Sequence, residues 1–186
     1  MPRKAATPRR VYQLKITLKD SKPPIWRRVE VSDTVTLAKL HTIIQVAMGW
    51  TDSHLHMFTV GQTVYGVPDA DDEQDILDEQ RVKLNKLLVV PKQKLSYEYD
   101  FGDCWTHIVV LEQVREPELG VAYPRCTAGK QACPPEDCGG VWGYADFLAA
   151  ITDPEHPEHD NLLEWAGGEF DPEGFDLAEI DAALRQ

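Results

Sequence analysis

The chain has 186 residues, of which 42% are hydrophobic and 27% charged, with a formal net charge of −12. These values are typical of one soluble globular domain. No run of about 18 apolar residues is present, which argues against a transmembrane helix and a membrane partner. The first residues lack the apolar stretch of a secretory signal, so the four cysteines indicate cytoplasmic thiols or metal ligands rather than disulfides.

The charge is distributed unevenly along the chain. Residues 1–130 carry a net charge of +1, whereas residues 131–186 carry −13. Such an acidic region repels phosphate backbones, so bulk nucleic-acid binding is not expected. The basic residues 1–10 predict a disordered tail, followed by a single domain over residues 11–186.

Two strands and a helix are predicted at the start of this domain. Alternation predicts a strand over Val11–Leu18, and a second strand over residues 25–31 follows a loop with two prolines. Helical spacing predicts a helix over residues 36–48, capped within residues 32–34 and ended by Gly49. His41 lies beside the apolar stripe of this helix and is interpreted as a surface or edge histidine. The inward side chains predicted for the core include Tyr12, Leu14, Ile16, Leu40 and Ile44.

Further strands are predicted over residues 53–60, 63–67, 94–101 and 106–114, the last two forming a hairpin, with short helices over 144–151, 160–165 and 175–184. Residues 69–79 are predicted to form an acidic loop. His54 and His56 alternate with other residues of their strand, which favours a packed face with Phe58 over a pair of metal ligands. This order predicts an α+β single domain, with a mixed sheet, a β-grasp-like hairpin–helix–strands order and C-terminal helices.

Residues 123–144 are predicted to form one long, shaped loop, because they combine two adjacent prolines, a glycine pair and three cysteines. The cysteines, Cys126, Cys133 and Cys138, have the spacing C-x6-C-x4-C, which is not a common zinc pattern. A structural zinc is one interpretation, with His107 as the first candidate for the fourth ligand and Cys104 or His54 next. Reduced, packed thiols are the favoured one.

Acidic and aromatic side chains cluster in this loop and in the segment YDFGDCWTH. The carboxylates with His107 allow a metal-dependent hydrolase or nuclease-like enzyme, although acids at turns more often cap the backbone. We expect the two segments to pack together around a partly apolar hollow. The predicted surface site consists of Asp100, Asp103, Trp105, Glu136, Asp137, Trp142 and Tyr144.

Five motifs together resemble the plasmid pRiA4b Orf-3-like family. They are the strand at residues 25–31, the helix ending in Gly49 and Trp50, the segment HLHMF, the segment YDFGDCWTH (99–107) and the segment ACPPEDCGGVWGY (132–144). The resemblance covers roughly residues 11–184. It implies an α+β single domain of bacteria and archaea with links to mobile elements, and it carries over no catalytic residue. A non-enzymatic binding or interaction domain, with a protein or small-molecule partner, is therefore the main prediction, and the hydrolase is the alternative.

Overall fold

The computed structural model describes residues 9–68 and 75–186, so most of the predicted basic tail and residues 69–74 of the predicted acidic loop lie outside the described residues. The strands are β1 (Val11–Leu18), β2 (Trp26–Ser32), β3 (His56–Val60), β4 (Thr63–Gly66), β5 (Leu77–Asp78), β6 (Lys94–Tyr99), β7 (Trp105–Arg115) and β8 (Arg125–Lys130). They form one sheet in the order β5-β4-β3-β6-β7-β1-β2-β8. Within the described ranges, the β4–β5 pair is parallel and the other pairs are antiparallel.

The first two strands form the predicted antiparallel hairpin, in which Tyr12 lies opposite Val31 and Ile16 lies opposite Arg27. The inward side chains predicted for β1 are buried. β1 also pairs with β7, with an irregularity in the register between Gln13 and Leu14. Alternation therefore identified the inward side chains of β1, although Val11 and Gln13 on its other face are buried as well.

The helix α1 (Leu37–Met48) packs its apolar side chains against the buried face of the hairpin. The Lys39 N–H donates to the Thr36 hydroxyl at 3.2 Å, and Gly49 ends the helix with φ 90°. The cap lies slightly later than residues 32–34. Leu40 and Ile44 are fully buried in the same core cluster as the hairpin, which confirms the predicted packing of the helix.

The prediction of one irregular loop over residues 123–144 is wrong. Residues Arg125–Lys130 form β8, which pairs with β2 at the edge of the sheet, and α2 (Gly140–Thr152) begins four residues earlier than predicted. The strand was missed because it contains small residues without a clear alternation. Gly129 accommodates the ring of Phe175, since a Cβ at this position would lie 2.3 Å from that ring.

The C-terminal helices cover this end of the sheet. α2 packs against α3 (His159–Trp165) through Phe147 and Trp165, whose ring centroids are 6.0 Å apart. Asp176 caps α4 (Leu177–Ala183), and Asp181 of this helix accepts a hydrogen bond from the Cys126 N–H of β8 at 3.0 Å. Helix α4 thus contacts both β8 and α1, while α2 and α3 contact each other.

The structure confirms the α+β fold with a mixed sheet and C-terminal helices. The finer β-grasp-like assignment stays a prediction. Within the described parts of the chain, no helix is long and apolar enough to span a membrane.

Candidate functional site

The loop at residues 50–55, between α1 and β3, forms hydrogen bonds with both segments that the sequence singled out, residues 99–107 and residues 123–144. The Trp50 indole N–H donates to the Pro134 carbonyl at 2.9 Å. The Thr51 N–H and hydroxyl both donate to Oε2 of Glu136, at 3.1 and 2.5 Å. The Ser53 N–H donates to the Tyr99 hydroxyl at 2.9 Å. We call residues 50–55 the junction loop.

Glu136 holds the junction loop against the sheet. The Tyr99 hydroxyl donates to Oε1 of Glu136 at 2.5 Å, so each carboxylate oxygen has a partner. Burial, and next the hydrogen bond to Glu136, raise the pKa of Tyr99, which keeps the phenol protonated as a donor. Glu136 is therefore occupied as a structural acceptor.

The two singled-out segments contact each other directly, as expected. The Gly139 N–H donates to Oδ2 of Asp103 at 3.0 Å. A Cβ at Gly140 would lie 2.4 Å from the Asp103 carbonyl oxygen, so the backbones approach as closely as glycine permits. Asp103 thus holds the backbone of Gly139, the residue that precedes α2.

A histidine and two carboxylates meet next to this contact. Nε2 of His54 lies 3.2 Å from Oδ1 of Asp137 and 3.8 Å from Oδ2 of Asp100. The three potential ligand atoms all lie within 4.8 Å of one another. We call His54, Asp100 and Asp137 the open cluster, because the Asp137 side chain is 69% exposed.

Backbone geometry fixes the two acids of the open cluster. Both adopt left-handed conformations, with φ 58° at Asp100 and 61° at Asp137, which aspartate tolerates better than most residues. Oδ1 of Asp100 accepts the Gly102 N–H at 2.9 Å, and the Asp100 N–H donates to the Leu55 carbonyl at 2.9 Å. This second bond holds Asp100 next to Leu55, and therefore close to the adjacent His54.

A second cluster lies deeper, where α1 faces the sheet. The imidazoles of His41 and His56 stack with centroids 3.5 Å apart. Nε2 of His41 lies 2.7 Å from Oδ1 of Asp52, and Nε2 of His56 lies 2.9 Å from Oε2 of Glu79. Nδ1 of His41 lies 2.8 Å from the Tyr97 hydroxyl. We call His41 and His56 the stacked pair, and we call Asp52 and Glu79 its acids. His41 is buried, so the prediction of a surface or edge histidine is wrong.

The stacked pair is poorly arranged for a shared metal ion. A metal binds imidazole along the nitrogen lone pair, which lies in the ring plane. The rings of His41 and His56 are within 3° of parallel, so their planes do not converge on one point. His41 also has partners on both nitrogens. Burial, and next the neighbouring His56, lower the pKa of His41, which favours a neutral imidazole.

The three cysteines and His107 do not form a close set. Among the described residues, the groups of three or more side chains with metal-ligating atoms within 4.8 Å are the open cluster and the set His41, Asp52 and His56. Burial raises the pKa of all three thiols, to about 12 for Cys138. The geometry therefore gives the zinc hypothesis no direct support, and protonated thiols are favoured.

His107 and Trp105 belong to the core rather than to a surface. Both are completely buried, and Nδ1 of His107 donates to the Trp105 carbonyl at 2.9 Å. Burial lowers the pKa of His107 to about 4. Nε2 of His107 is buried and has no hydrogen-bond partner among the described residues. The structure does not bring His107 to the carboxylates, and its place beside them is taken by His54.

An apolar groove of about 630 Å³ runs between α2 and α3. Its lining residues are Asp137, Cys138, Gly143, Asp146, Phe147, Ala149, Ala150, His156, Glu158, Leu162 and Trp165. Asp137 belongs both to the open cluster and to the end of the groove. A smaller hollow of about 300 Å³ lies beside Trp142 and Tyr144 on another part of α2.

The seven predicted site residues are thus divided among several places. Asp100 and Asp137 meet in the open cluster. Asp103 accepts a hydrogen bond from the Gly139 backbone, and Glu136 accepts hydrogen bonds from Tyr99 and Thr51. Trp105 is buried, whereas Trp142 is 85% exposed and lines the smaller hollow, so they share no surface. Sequence reasoning missed the roles of His54, His41 and His56. The alternation Asp52-x-His54-x-His56 directly after a helix is the signal that could have identified them.

Comparisons with known proteins agree on the relationship of this chain. The uncharacterized protein y4hQ of Sinorhizobium fredii is 37% identical over 176 residues, which cover 94% of this chain and 90% of that protein. A crystal structure of the protein of unknown function MM3350 from Methanosarcina mazei superposes with a TM-score of 0.85 at 40% identity, and the match covers 93% of this chain and 97% of that chain. The plasmid pRiA4b ORF-3-like protein family matches residues 10–179, and the chain belongs to this family.

Proposed function

We propose that the protein is a non-enzymatic binding domain whose groove between α2 and α3 binds a basic, amphipathic segment of a partner protein. The observation that carries this proposal is the groove itself, which combines an apolar floor with an acidic rim. The groove volume of about 630 Å³ lies within the range of ordinary ligand sites.

The floor of the groove offers apolar surface that the fold leaves accessible. Phe147 and Ala150 line its base but are buried, so its accessible apolar surface comes from side chains such as the partly buried Leu162 on α3. Trp165 is 49% exposed at its edge. Large aromatic side chains in this position are common at protein interfaces, because they combine a wide apolar area with few rotatable bonds. An apolar face of a partner helix or peptide therefore has a surface to cover.

The rim determines the charge of the partner. Asp137, Asp146 and Glu158 line the groove, and no lysine or arginine is among its lining residues. Residues 131–186 as a whole carry a net charge of −13. This field attracts basic segments and repels nucleic acids and acidic segments. An amphipathic segment with lysine or arginine beside its apolar face matches both the floor and the rim.

A direct test measures binding of a fluorescein-labelled amphipathic Leu/Lys peptide to the full chain by fluorescence anisotropy. We expect saturable binding, weakened at least about tenfold by Ala149→Arg, which puts a bulky cation into the groove. Ala145→Arg is the matched control, because Ala145 is exposed on the same helix but lines the smaller hollow. Equal binding of a Leu/Glu peptide, or equal loss in both variants, would contradict the proposal.

The geometry favours this function over a hydrolase or nuclease-like enzyme that uses His107, since His107 is completely buried and bonds to Trp105. A cytoplasmic location and a link to mobile elements belong to the same proposal. The only support for the second is the plasmid in the name of the family.

A further inference from the structure

We propose that His54, Asp100 and Asp137 bind a divalent first-row transition-metal ion. This site differs from the one predicted at the cysteines. It does not depend on peptide binding in the groove, although Asp137 borders both.

The spacing of the three donors suits one ion. Zinc binds nitrogen and oxygen donors at about 2.0–2.2 Å, so two donors of a tetrahedral site lie roughly 3.3–3.6 Å apart. The distances from Nε2 of His54 are 3.2 Å to Asp137 and 3.8 Å to Asp100. Both distances lie within a few tenths of an ångström of this range, and the two carboxylate oxygens lie within 4.8 Å of each other.

The charges of the site call for a cation. Two carboxylates with oxygens within 4.8 Å of each other repel, and in the described part of the chain no lysine or arginine nitrogen lies within 4.0 Å of either. Nε2 of His54 is buried and makes no well-oriented hydrogen bond within the part of the chain that the structure describes, although carboxylate oxygens of both acids lie within 3.8 Å of it. A metal ion would satisfy the nitrogen and both carboxylates at once.

The supporting contacts direct each donor toward the site. Oδ1 of Asp100 is engaged by the Gly102 N–H, which leaves Oδ2 for the ion. The ring of His54 packs edge-on against Tyr99, with centroids 5.7 Å apart. Asp137 follows Glu136, whose two oxygens are bonded to Tyr99 and Thr51. Such contacts hold ligands in orientation before the metal arrives.

The donor set also indicates the class of metal. One imidazole nitrogen with two carboxylate oxygens suits zinc, manganese or iron, whereas magnesium and calcium prefer oxygen donors alone. Exposure of Asp137 leaves room for water molecules to complete the coordination. In the stacked pair the two rings are parallel, so their nitrogen lone pairs do not point toward one common ion.

Isothermal titration of the chelator-treated full chain with Mn²⁺ tests the site, since manganese avoids the thiols that attract zinc. We expect one Mn²⁺ per chain, bound at least about tenfold more tightly than Mg²⁺, and weakened at least about tenfold in Asp137→Asn and in Asp100→Asn. Pulsed electron paramagnetic resonance should show coupling to an imidazole nitrogen, which His54→Gln removes. Asparagine tolerates the left-handed backbone at both positions, and the exposed Asp137 keeps the test valid if Asp100→Asn misfolds.

Asp52→Asn is the matched control, because Asp52 is also an exposed aspartate with a positive φ, and its carboxylate pairs with His41 outside the open cluster. We expect Asp52→Asn and the groove variant Ala149→Arg to bind Mn²⁺ as the unchanged chain does. Absence of saturable Mn²⁺ binding would overturn the proposal. Unchanged binding in Asp137→Asn, or loss in Asp52→Asn alone, would also overturn it.

Discussion

His41 and His56 stack their imidazole rings face to face, with centroids 3.5 Å apart and an angle of 3° between the planes. Each ring has its own acid, Asp52 for His41 and Glu79 for His56. The amide of Gln45 donates to the Tyr97 hydroxyl at 2.9 Å, which leaves the phenol proton to donate to Nδ1 of His41. This chain of bonds fits a neutral His41 whose Nε2–H donates to Asp52.

Stability should therefore fall as the pH decreases from 7 to 5. His41 has a lowered pKa in the folded protein, so the unfolded chain takes up its proton first, at a pKa of about 6.5. The contribution of neutral His41 is present above this pH and is lost below it. Urea denaturation at pH 7, 6 and 5 measures the slope, and His41→Gln should reduce it. A slope that is unchanged in this variant would show that His41 is not the group responsible.

His107 should add a second, separable part of the same pH dependence. Its pKa of about 4 in the folded chain, against about 6.5 in the unfolded chain, predicts a loss of about 2 kcal/mol in the free energy of unfolding between pH 7 and pH 5. His107→Phe should destabilise the protein at pH 7, because it removes the bond to Trp105, but should cost less at pH 5. Equal destabilisation at both pH values would contradict the lowered pKa. His156→Gln, in the turn before α3, serves as a control.

The parts of the fold that were predictable depend on local patterns. Alternation identified β1 and the β6–β7 hairpin, and helical spacing with Gly49 identified α1. β8 was not predictable in this way, because its Gly129 packs under Phe175, which lies 46 residues later in the chain. No periodicity within a strand encodes a contact of that kind.

The candidate site was predictable only in part, for a similar reason. Asp100 and Asp137 were named from their turn-rich surroundings, and they do meet. Their histidine was misassigned because regular alternation was extended through residues 53–60, whereas β3 begins at His56. The bond from the Asp100 N–H to the Leu55 carbonyl holds His54 near the acids, and it joins residues 45 positions apart.

Tyr99 and Glu136 should be energetically coupled. The hydroxyl of Tyr99 donates to Glu136 at 2.5 Å, and it also accepts the Ser53 N–H. A double-mutant cycle with Tyr99→Phe and Glu136→Ala should give a coupling free energy of about 1–2 kcal/mol by urea denaturation. Glu136→Ala should also speed hydrogen exchange at the Thr51 amide, which donates to this carboxylate. Additive effects of the two substitutions would show that the bond does not hold the junction loop.

Gly129→Ala should destabilise the protein by about 1–3 kcal/mol, because the added methyl group would lie 2.3 Å from the ring of Phe175. That ring also packs on the guanidinium of Arg27, at 4.9 Å, so it cannot move without losing this contact. Gly66→Ala is the matched control. Gly66 also lies in a strand, and its nearest neighbours would be at an ordinary 3.5 Å.

Thermal and urea denaturation of both variants measure the difference, and Phe175→Leu tests its cause. In the Phe175→Leu background the smaller side chain leaves room for the methyl group, so Gly129→Ala should cost much less than in the unchanged chain. If the cost is the same in both backgrounds, the ring of Phe175 does not account for the glycine in β8. If Gly66→Ala is as destabilising as Gly129→Ala, the effect belongs to strand glycines in general.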